Sequence, residues 1–335
     1  MGSIPLGYSC KVYGLRVRTG EARSSRVAVL AFARPMPFQL NLLRPAAGEF
    51  NSGTHTHAEQ TRRYKLYVPS APADQALPLV VMLHGCSQSA DDFADGTGMN
   101  QHARNEGFFV LYPEQSREAN ANGCWNWFKP EHQQRSHGEP ALLASMTRSV
   151  MSDYDIDPKR VFIAGLSAGG AMAMVMASAY PELFTAIGVH SGLPIGAVST
   201  MDEALSAMNR GDTSPHPTEA RPHQPDEPVG PHPPIIVFHG DQDNTVHPSN
   251  GEQVVMAALR GTSHQVQIEQ GTSSNGRPYT RRVYTDPNDR VLAEYWLVHD
   301  TGHAWSGGSP TGSYTDRHGP DATGEMLRFF FGHLA

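Results

Sequence analysis

The sequence predicts an α/β fold, a doubly wound and mostly parallel central sheet with helices on both faces. Three observations predict it. Residues 79–83, 161–164 and 235–238 are short unbroken apolar runs, the pattern of strands buried on both faces of a parallel sheet. Helix-compatible stretches lie between the strand-like ones, so the chain reads as successive βα units. The loops that follow the apolar runs carry the chemically interesting residues, and ligands of such sheets sit beyond the carboxyl ends of the strands.

Taken in order, the regular pattern begins near residue 61. Residues 63–68 alternate like an exposed strand, and Pro69 ends it. A central strand over 79–83 runs into His84-Gly85. A helix follows around 98–105, then a strand over 108–112, a helix over 140–153 and a strand over 161–164. The next units are a helix over 168–180 and a strand over 186–190. Between 196 and 234 the strand pattern stops. A helical piece at 201–208 precedes a stretch rich in Pro, His and Asp, an insertion that either overhangs the site as a cap or runs as a solvated surface loop. A strand at 235–238, a helix at 248–259, strands at 281–284 and 295–298, and a closing helix at 320–333 complete the domain. The expected organisation is therefore an amino-terminal extension over 1–60 and one catalytic domain over 61–335.

With 335 residues, 39% of them hydrophobic, the chain can bury a large core. The net charge is −7, and no lysine or arginine cluster marks the body of the chain, so neither a nucleic-acid groove nor a membrane-surface patch is expected. No apolar run approaches the roughly 20 residues that span a bilayer. The first 50 residues differ: Arg16, Arg18, Arg23, Arg26, Arg34 and Arg44 surround an apolar piece at 27–33. That stretch reads either as a secretion signal, short and late in starting, or as an extension or leader outside the fold, and leaves secreted, periplasmic and cytoplasmic locations open. Three cysteines are too few for a disulfide framework. Cys86 and Cys124 both lie in loops after strand-like runs, and spacing alone fits two buried thiols as well as one bridge.

Residues 165–169 read Gly-Leu-Ser-Ala-Gly, with a strand before and a helix after. A serine at such a corner is pushed out of the backbone, and the helix N-terminus behind it directs unpaired N–H groups toward a developing oxyanion. Ser167 is thus the candidate nucleophile. In α/β-hydrolases an acid and then a histidine follow in chain order. The loop after 235–238 offers Asp241 and Asp243; Asp243 lies further round the turn and is the better orienting acid. The loop after 295–298 offers His299 and His303. His303, following a glycine, can swing over the nucleophile, whereas His299 belongs to the strand end. The oxyanion donors are expected to be the backbone amides of Cys86 and Ala168. Cys86 as nucleophile lacks the strand-to-helix corner. His55-Thr56-His57 and Pro215-His216-Pro217 lack helical i, i+4 spacing or nearby carboxylates, so no metal site is predicted.

Five segments, His84-Gly85-Cys86-Ser87-Gln88, Cys124-Trp125-Asn126-Trp127-Phe128, Gly165-Leu166-Ser167-Ala168-Gly169-Gly170, His239-Gly240-x-x-Asp243-x-x-Val246 and Gly302-His303-Ala304-Trp305-Ser306-Gly307-Gly308, resemble the polyhydroxybutyrate depolymerase family esterases over about residues 61–334. Related feruloyl and acetylxylan esterases are similar. The resemblance implies an α/β-hydrolase that needs no cofactor, with Ser167, Asp243 and His303 as triad and Cys86 and Ala168 as oxyanion amides. It also implies a Cys86–Cys124 bridge. Trp125, Trp127 and Trp305 would then border the acyl or alcohol pocket, although core packing explains them equally. Polymer-degrading members carry a Thr- or Ser-rich linker and a surface-binding module. This chain ends at Ala335 with the catalytic domain, so short-chain or hydroxyacid esters and polyester oligomers are the expected substrates. Alternatives are a feruloyl or acetylxylan esterase, an acyltransferase, and a non-catalytic binding protein on the same scaffold.

Overall fold

The structure, a computed structural model, describes residues 48–70, 75–196, 198, 200–210 and 232–333. The basic amino-terminal stretch and residues 211–231 of the insertion lie outside the described residues.

The apolar runs form the middle of one sheet. Its strands are β1 (Glu49–His57), β2 (Gln60–Val68), β3 (Leu77–Leu83), β4 (Phe109–Pro113), β5 (Ile156–Leu166), β6 (Ala186–His190), β7 (Ile235–Gly240), β8 (Gln265–Thr272), β9 (Pro278–Thr285) and β10 (Val291–Val298). Their spatial order is β1-β2-β4-β3-β5-β6-β7-β10-β9-β8. The six strands from β4 to β10 are parallel, and an antiparallel pair flanks them at each edge.

Period-2 alternation divides the central strands between two cores. Leu79, Val81, Ile163, Ile235 and Val237 face one side, where α3 (Gly138–Asp153), α4 (Ala168–Ala179), α5 (Met201–Arg210) and α6 (Ser249–Ala258) pack. Val80, Met82, Phe162, Ile236 and Phe238 face the other, covered by α1 (Ala90–Thr97), α2 (Met99–Glu106) and α7 (Ala322–Gly332). Helices therefore cover both faces, as the alternation predicts. No helix among the described residues is long and apolar enough to cross a membrane.

The expected boundary at residue 61 is corrected by the first hairpin. β1 pairs with β2 from Glu49↔Val68 to His57↔Gln60, so the ordered chain reaches back into the supposed extension. Its sequence, Glu-Phe-Asn-Ser-Gly-Thr-His-Thr-His, lacks apolar alternation because an edge strand needs only its backbone to pair. Helix α1 was not expected either; Ser89 caps it, its hydroxyl accepting from the Asp92 amide.

Part of the insertion is placed. Two carbonyls of α5 accept hydrogen bonds from the segment after Asp243: Met208 O from the His247 amide at 2.7 Å, and Ala207 O from Asn250 Nδ2 at 3.0 Å.

Candidate active site

Ser167 stands between β5 and α4 with φ 57° and ψ −121°, outside the regions L-residues normally occupy. Its amide donates to His190 O of β6 at 2.9 Å, and its carbonyl accepts the first bond of α4 from the Ala171 amide at 2.9 Å. Helix geometry leaves the first amides of α4 without intrahelical acceptors. The corner closes because Gly169 lets the helix start press on the end of β3. A Cβ there would stand 2.0 Å from Leu83 O and 2.6 Å from His84 O. Gly169→Ala is accordingly expected to cost about 2–3 kcal/mol, read as a lower urea midpoint at unchanged slope, because a backbone carbonyl must move.

The turn after β3 lies against the same corner, where a Cβ on Gly85 would be 3.5 Å from Ser167 Cβ. Its amides are nearly all taken. Gly85 N donates to Gln88 Oε1 at 2.9 Å, Ser87 N to Asn122 O at 2.9 Å and Gln88 N to Gly85 O at 3.3 Å. The Cys86 amide has no acceptor among the described residues, which leaves it available for a negatively charged oxygen. Cys86 is disulfide-bonded to Cys124, which excludes its thiol as a nucleophile.

His303 and Asp243 meet. Nδ1 of His303 lies 2.7 Å from Asp243 Oδ2, the carboxylate wholly buried and the imidazole one-tenth exposed. Asp243 Oδ1 accepts from the Thr245 and Val246 amides at 2.9 and 2.8 Å, and His239 Nε2 lies 3.5 Å from Oδ2. Burial alone would raise the Asp243 pKa. Hydrogen bonds from His239 and His303, the His303 charge and the Val246 amide outweigh it and hold the carboxyl well below the usual range. The two loops that carry the pair are zipped together. Gly240 permits this, since a Cβ on it would stand 2.3 Å from Thr301 O, and Gln242 N donates to Thr301 O at 3.0 Å.

The alternatives Asp241 and His299 pair with each other. His299 Nδ1 is 2.9 Å from Asp241 Oδ2, and its Nε2 is 2.9 Å from Thr280 Oγ1. This second carboxylate–imidazole pair ties β7, β9 and β10 together at their ends.

Of the two readings of the tryptophans, pocket border or core, their burial favours the core. Trp305 is fully buried, its indole N–H donating to Thr323 Oγ1 at 3.0 Å while its ring stacks on His190 and meets Phe93 edge-on. Trp125 is fully buried with its N–H on His84 O at 3.1 Å, and Trp127 is buried against Phe128. All three belong to the buried core. Burial, reinforced by His239 and His303, pushes His190 down to about 3, so it is neutral and accepts from the Ser306 amide through Nε2 at 2.9 Å.

Sequence reasoning missed a buried carboxylate, Glu139, linked to the turn after β3. Glu139 Oε2 accepts from the Asn126 amide at 2.7 Å, and Oε1 accepts from Asn126 Nδ2 and Gln115 Nε2. The Gln115 amide in turn donates to His84 Nε2 at 3.0 Å. The network fixes the Cys124 loop to the turn of Cys86, and no local sequence pattern joins residues so far apart. It also missed the segment after Trp305, where β11 (Trp305–Ser306) pairs with β12 (Thr315–Asp316) and displays Tyr314 beside His303. Among the described residues no group of three or more His, Cys, Asp or Glu side chains is placed to hold a metal ion.

Residues 62–272 match the family described as Esterase PHB depolymerase. The chain is similar to poly(3-hydroxyalkanoate) depolymerase C of Paucimonas lemoignei, at 32% identity over 86% of this chain and 69% of that protein. It is also similar to feruloyl esterase B of Neurospora crassa, at 31% identity over 68% of this chain and 80% of that protein. Among solved structures, acetyl xylan esterase from Aspergillus awamori shares the fold, with a TM-score of 0.65 at 21% identity over 84% of this chain and 99% of the other. The chain belongs to the esterase PHB depolymerase family, and it is a carboxylic ester hydrolase on the α/β-hydrolase fold.

Proposed function

We propose that Ser167, His303 and Asp243 hydrolyse carboxylic esters through an acyl-enzyme, with short-chain or hydroxyacid esters and their oligomers as substrates. The observation that carries this reading is the 2.7 Å pairing of His303 Nδ1 with a buried, ionised Asp243, in the loop zipped to the end of β7. With its Nδ1 proton held by Asp243, His303 has Nε2 as its basic nitrogen. Ser167 Oγ attacks the ester carbonyl carbon as Nε2 takes its proton, and the carbonyl π pair moves onto oxygen, where the Cys86 and Ala168 amides donate to it. The pair returns, the bond to the alkoxy oxygen breaks, and His303 gives its proton to the departing alcohol. Water then attacks the acyl carbon, losing a proton to Nε2. Collapse breaks the bond to Ser167 Oγ, which regains the proton as the carboxylic acid leaves.

The hydroxyacid preference rests on the similarity to the Paucimonas depolymerase, and the similarity to feruloyl esterase B supports a second reading on phenolic esters. A fluorophosphonate probe is expected to add one phosphonyl group to the peptide containing Ser167, located by mass spectrometry; labelling elsewhere overturns the nucleophile. Initial rates on methyl 3-hydroxybutyrate and methyl ferulate separate the substrate readings. Turnover of the ferulate ester alone would leave the mechanism and remove the hydroxyacid class.

A further inference from the structure

We propose that Tyr314 holds the alcohol half of the ester, making it a specificity-determining residue for leaving groups that carry oxygen functions of their own, such as a further hydroxyacid unit. Its ring meets the His303 imidazole edge-on at 6.2 Å between centroids, and its hydroxyl lies 3.4 Å from Ser87 Oγ. Ser87 directly follows Cys86, whose amide has no acceptor among the described residues, so the phenol spans from the base to the oxyanion turn. The ring is 47% exposed and fills no core.

The backbone at Tyr314 is costly. Its φ is 52°, in the left-handed region where a bulky side chain is strained by about 1 kcal/mol or more. The surroundings enforce that conformation from both sides. Ser313 N donates to Asp92 Oδ1 at 2.9 Å, and the Ser313 hydroxyl donates to Asp92 Oδ2. Gln88, whose Oε1 accepts from Gly85 N, donates through Nε2 to Ser313 O at 3.2 Å and to Asp92 Oδ2 at 2.9 Å. On the far side Trp305 N donates to Tyr314 O at 2.7 Å, where β11 and β12 begin to pair. The oxyanion turn and the tyrosine loop are thus one hydrogen-bonded body. Neither burial nor a core contact compensates the strain, and an exposed aromatic held this way beside a reactive histidine is built to meet a ligand.

Tetrahedral geometry decides which half of the ester it meets. The four groups on the reacting carbon are Ser167 Oγ, the oxyanion, the alkoxy oxygen and the acyl chain. The oxyanion points to the Cys86 amide and the alkoxy oxygen to His303, which protonates it. A side chain that joins the Cys86 turn to His303 borders the edge between these two oxygens, away from the acyl chain. The ring offers an apolar face, and the Tyr314 hydroxyl, at a long 3.4 Å from Ser87 Oγ, offers a donor and an acceptor to oxygens on the alcohol, while Ser87 keeps its own proton on Cys86 O.

The inference rests on His303 being the group that protonates the leaving alcohol, and its test separates the two. Methyl 3-hydroxybutyrate and the linear 3-hydroxybutyrate dimer give the same acyl-enzyme and differ only in the alcohol. Tyr314→Asn suits the backbone because asparagine tolerates the left-handed region. We expect its kcat/KM to fall about tenfold more for the dimer than for the methyl ester, about 1.4 kcal/mol. Tyr314→Phe, lacking only the hydroxyl, is expected to lie between. Equal falls on both esters, or no fall on the dimer, would overturn the assignment. Wild-type turnover of the methyl ester reports on the hydrolase reading in the same assay.

Discussion

Ser167→Ala is expected to lower kcat for a methyl ester by about 10⁵-fold while leaving KM within a few-fold. The size follows from what the hydroxyl does: without Oγ no acyl-enzyme forms, and the remaining route is direct attack by water. That route keeps some advantage over bulk solution, because the Cys86 and Ala168 amides still polarise the carbonyl. Alanine also preserves the corner. Its Cβ stays where the serine Cβ was, and the bond from the residue-167 amide to His190 O does not involve the side chain. The melting temperature is therefore expected to move little, which separates lost chemistry from lost fold. Adding His303→Ala to Ser167→Ala is expected to cost almost nothing further, since the two side chains act as a unit. A single variant retaining more than a tenth of wild-type turnover would remove Ser167 from the mechanism.

How much of this site the sequence carried depends on whether a residue's role is local. The runs at β3, β5 and β7 were legible because strands buried on both faces must be apolar throughout, and the order of serine, acid and histidine follows from which strand ends they occupy. The choice of Asp243 over Asp241 rested on its place further round the turn, and in the structure Asp243 pairs with His303 while Asp241 pairs with His299. Edge strands were not legible. β8 is exposed along most of its length, so nothing constrains its pattern beyond backbone pairing. Side-chain direction was the other gap. Trp305 stands two residues from His303 and looks like a pocket wall in sequence, yet its ring turns under the site onto His190, where burial repays its size. The aromatic that faces outward is Tyr314, in a turn with no periodicity, placed by Asp92 and Gln88 from the other end of the chain. Glu139 was hidden for the same reason, its partners Gln115 and Asn126 being assembled only by the fold.

Asp243→Asn is expected to cost about 10⁴-fold in kcat near neutral pH, while Asp241→Asn, in the separate pair with His299, costs less than tenfold. The geometry explains why an isosteric change does so much. Oδ1 of Asp243 accepts from the Thr245 and Val246 amides, so asparagine must keep its oxygen there and turn its NH₂ toward His303. A donor at that position forces His303 to accept through Nδ1 and to carry its proton on Nε2, where the base is needed. The same NH₂ faces His239 Nε2, which donates to Val246 O at 2.8 Å and finds no acceptor in the amide nitrogen. Stability carries a matching signature. Because the folded-state pKa of Asp243 is depressed, its ionised form stabilises the native protein fully above the unfolded value of about 4, and that contribution is lost as pH falls toward the folded value. The variant has no such group to titrate. Its melting temperature is expected to trail wild type at pH 7 and to converge on it below about pH 4, whereas a gap that stays constant across that range would mean the carboxylate is not held ionised by the two histidines.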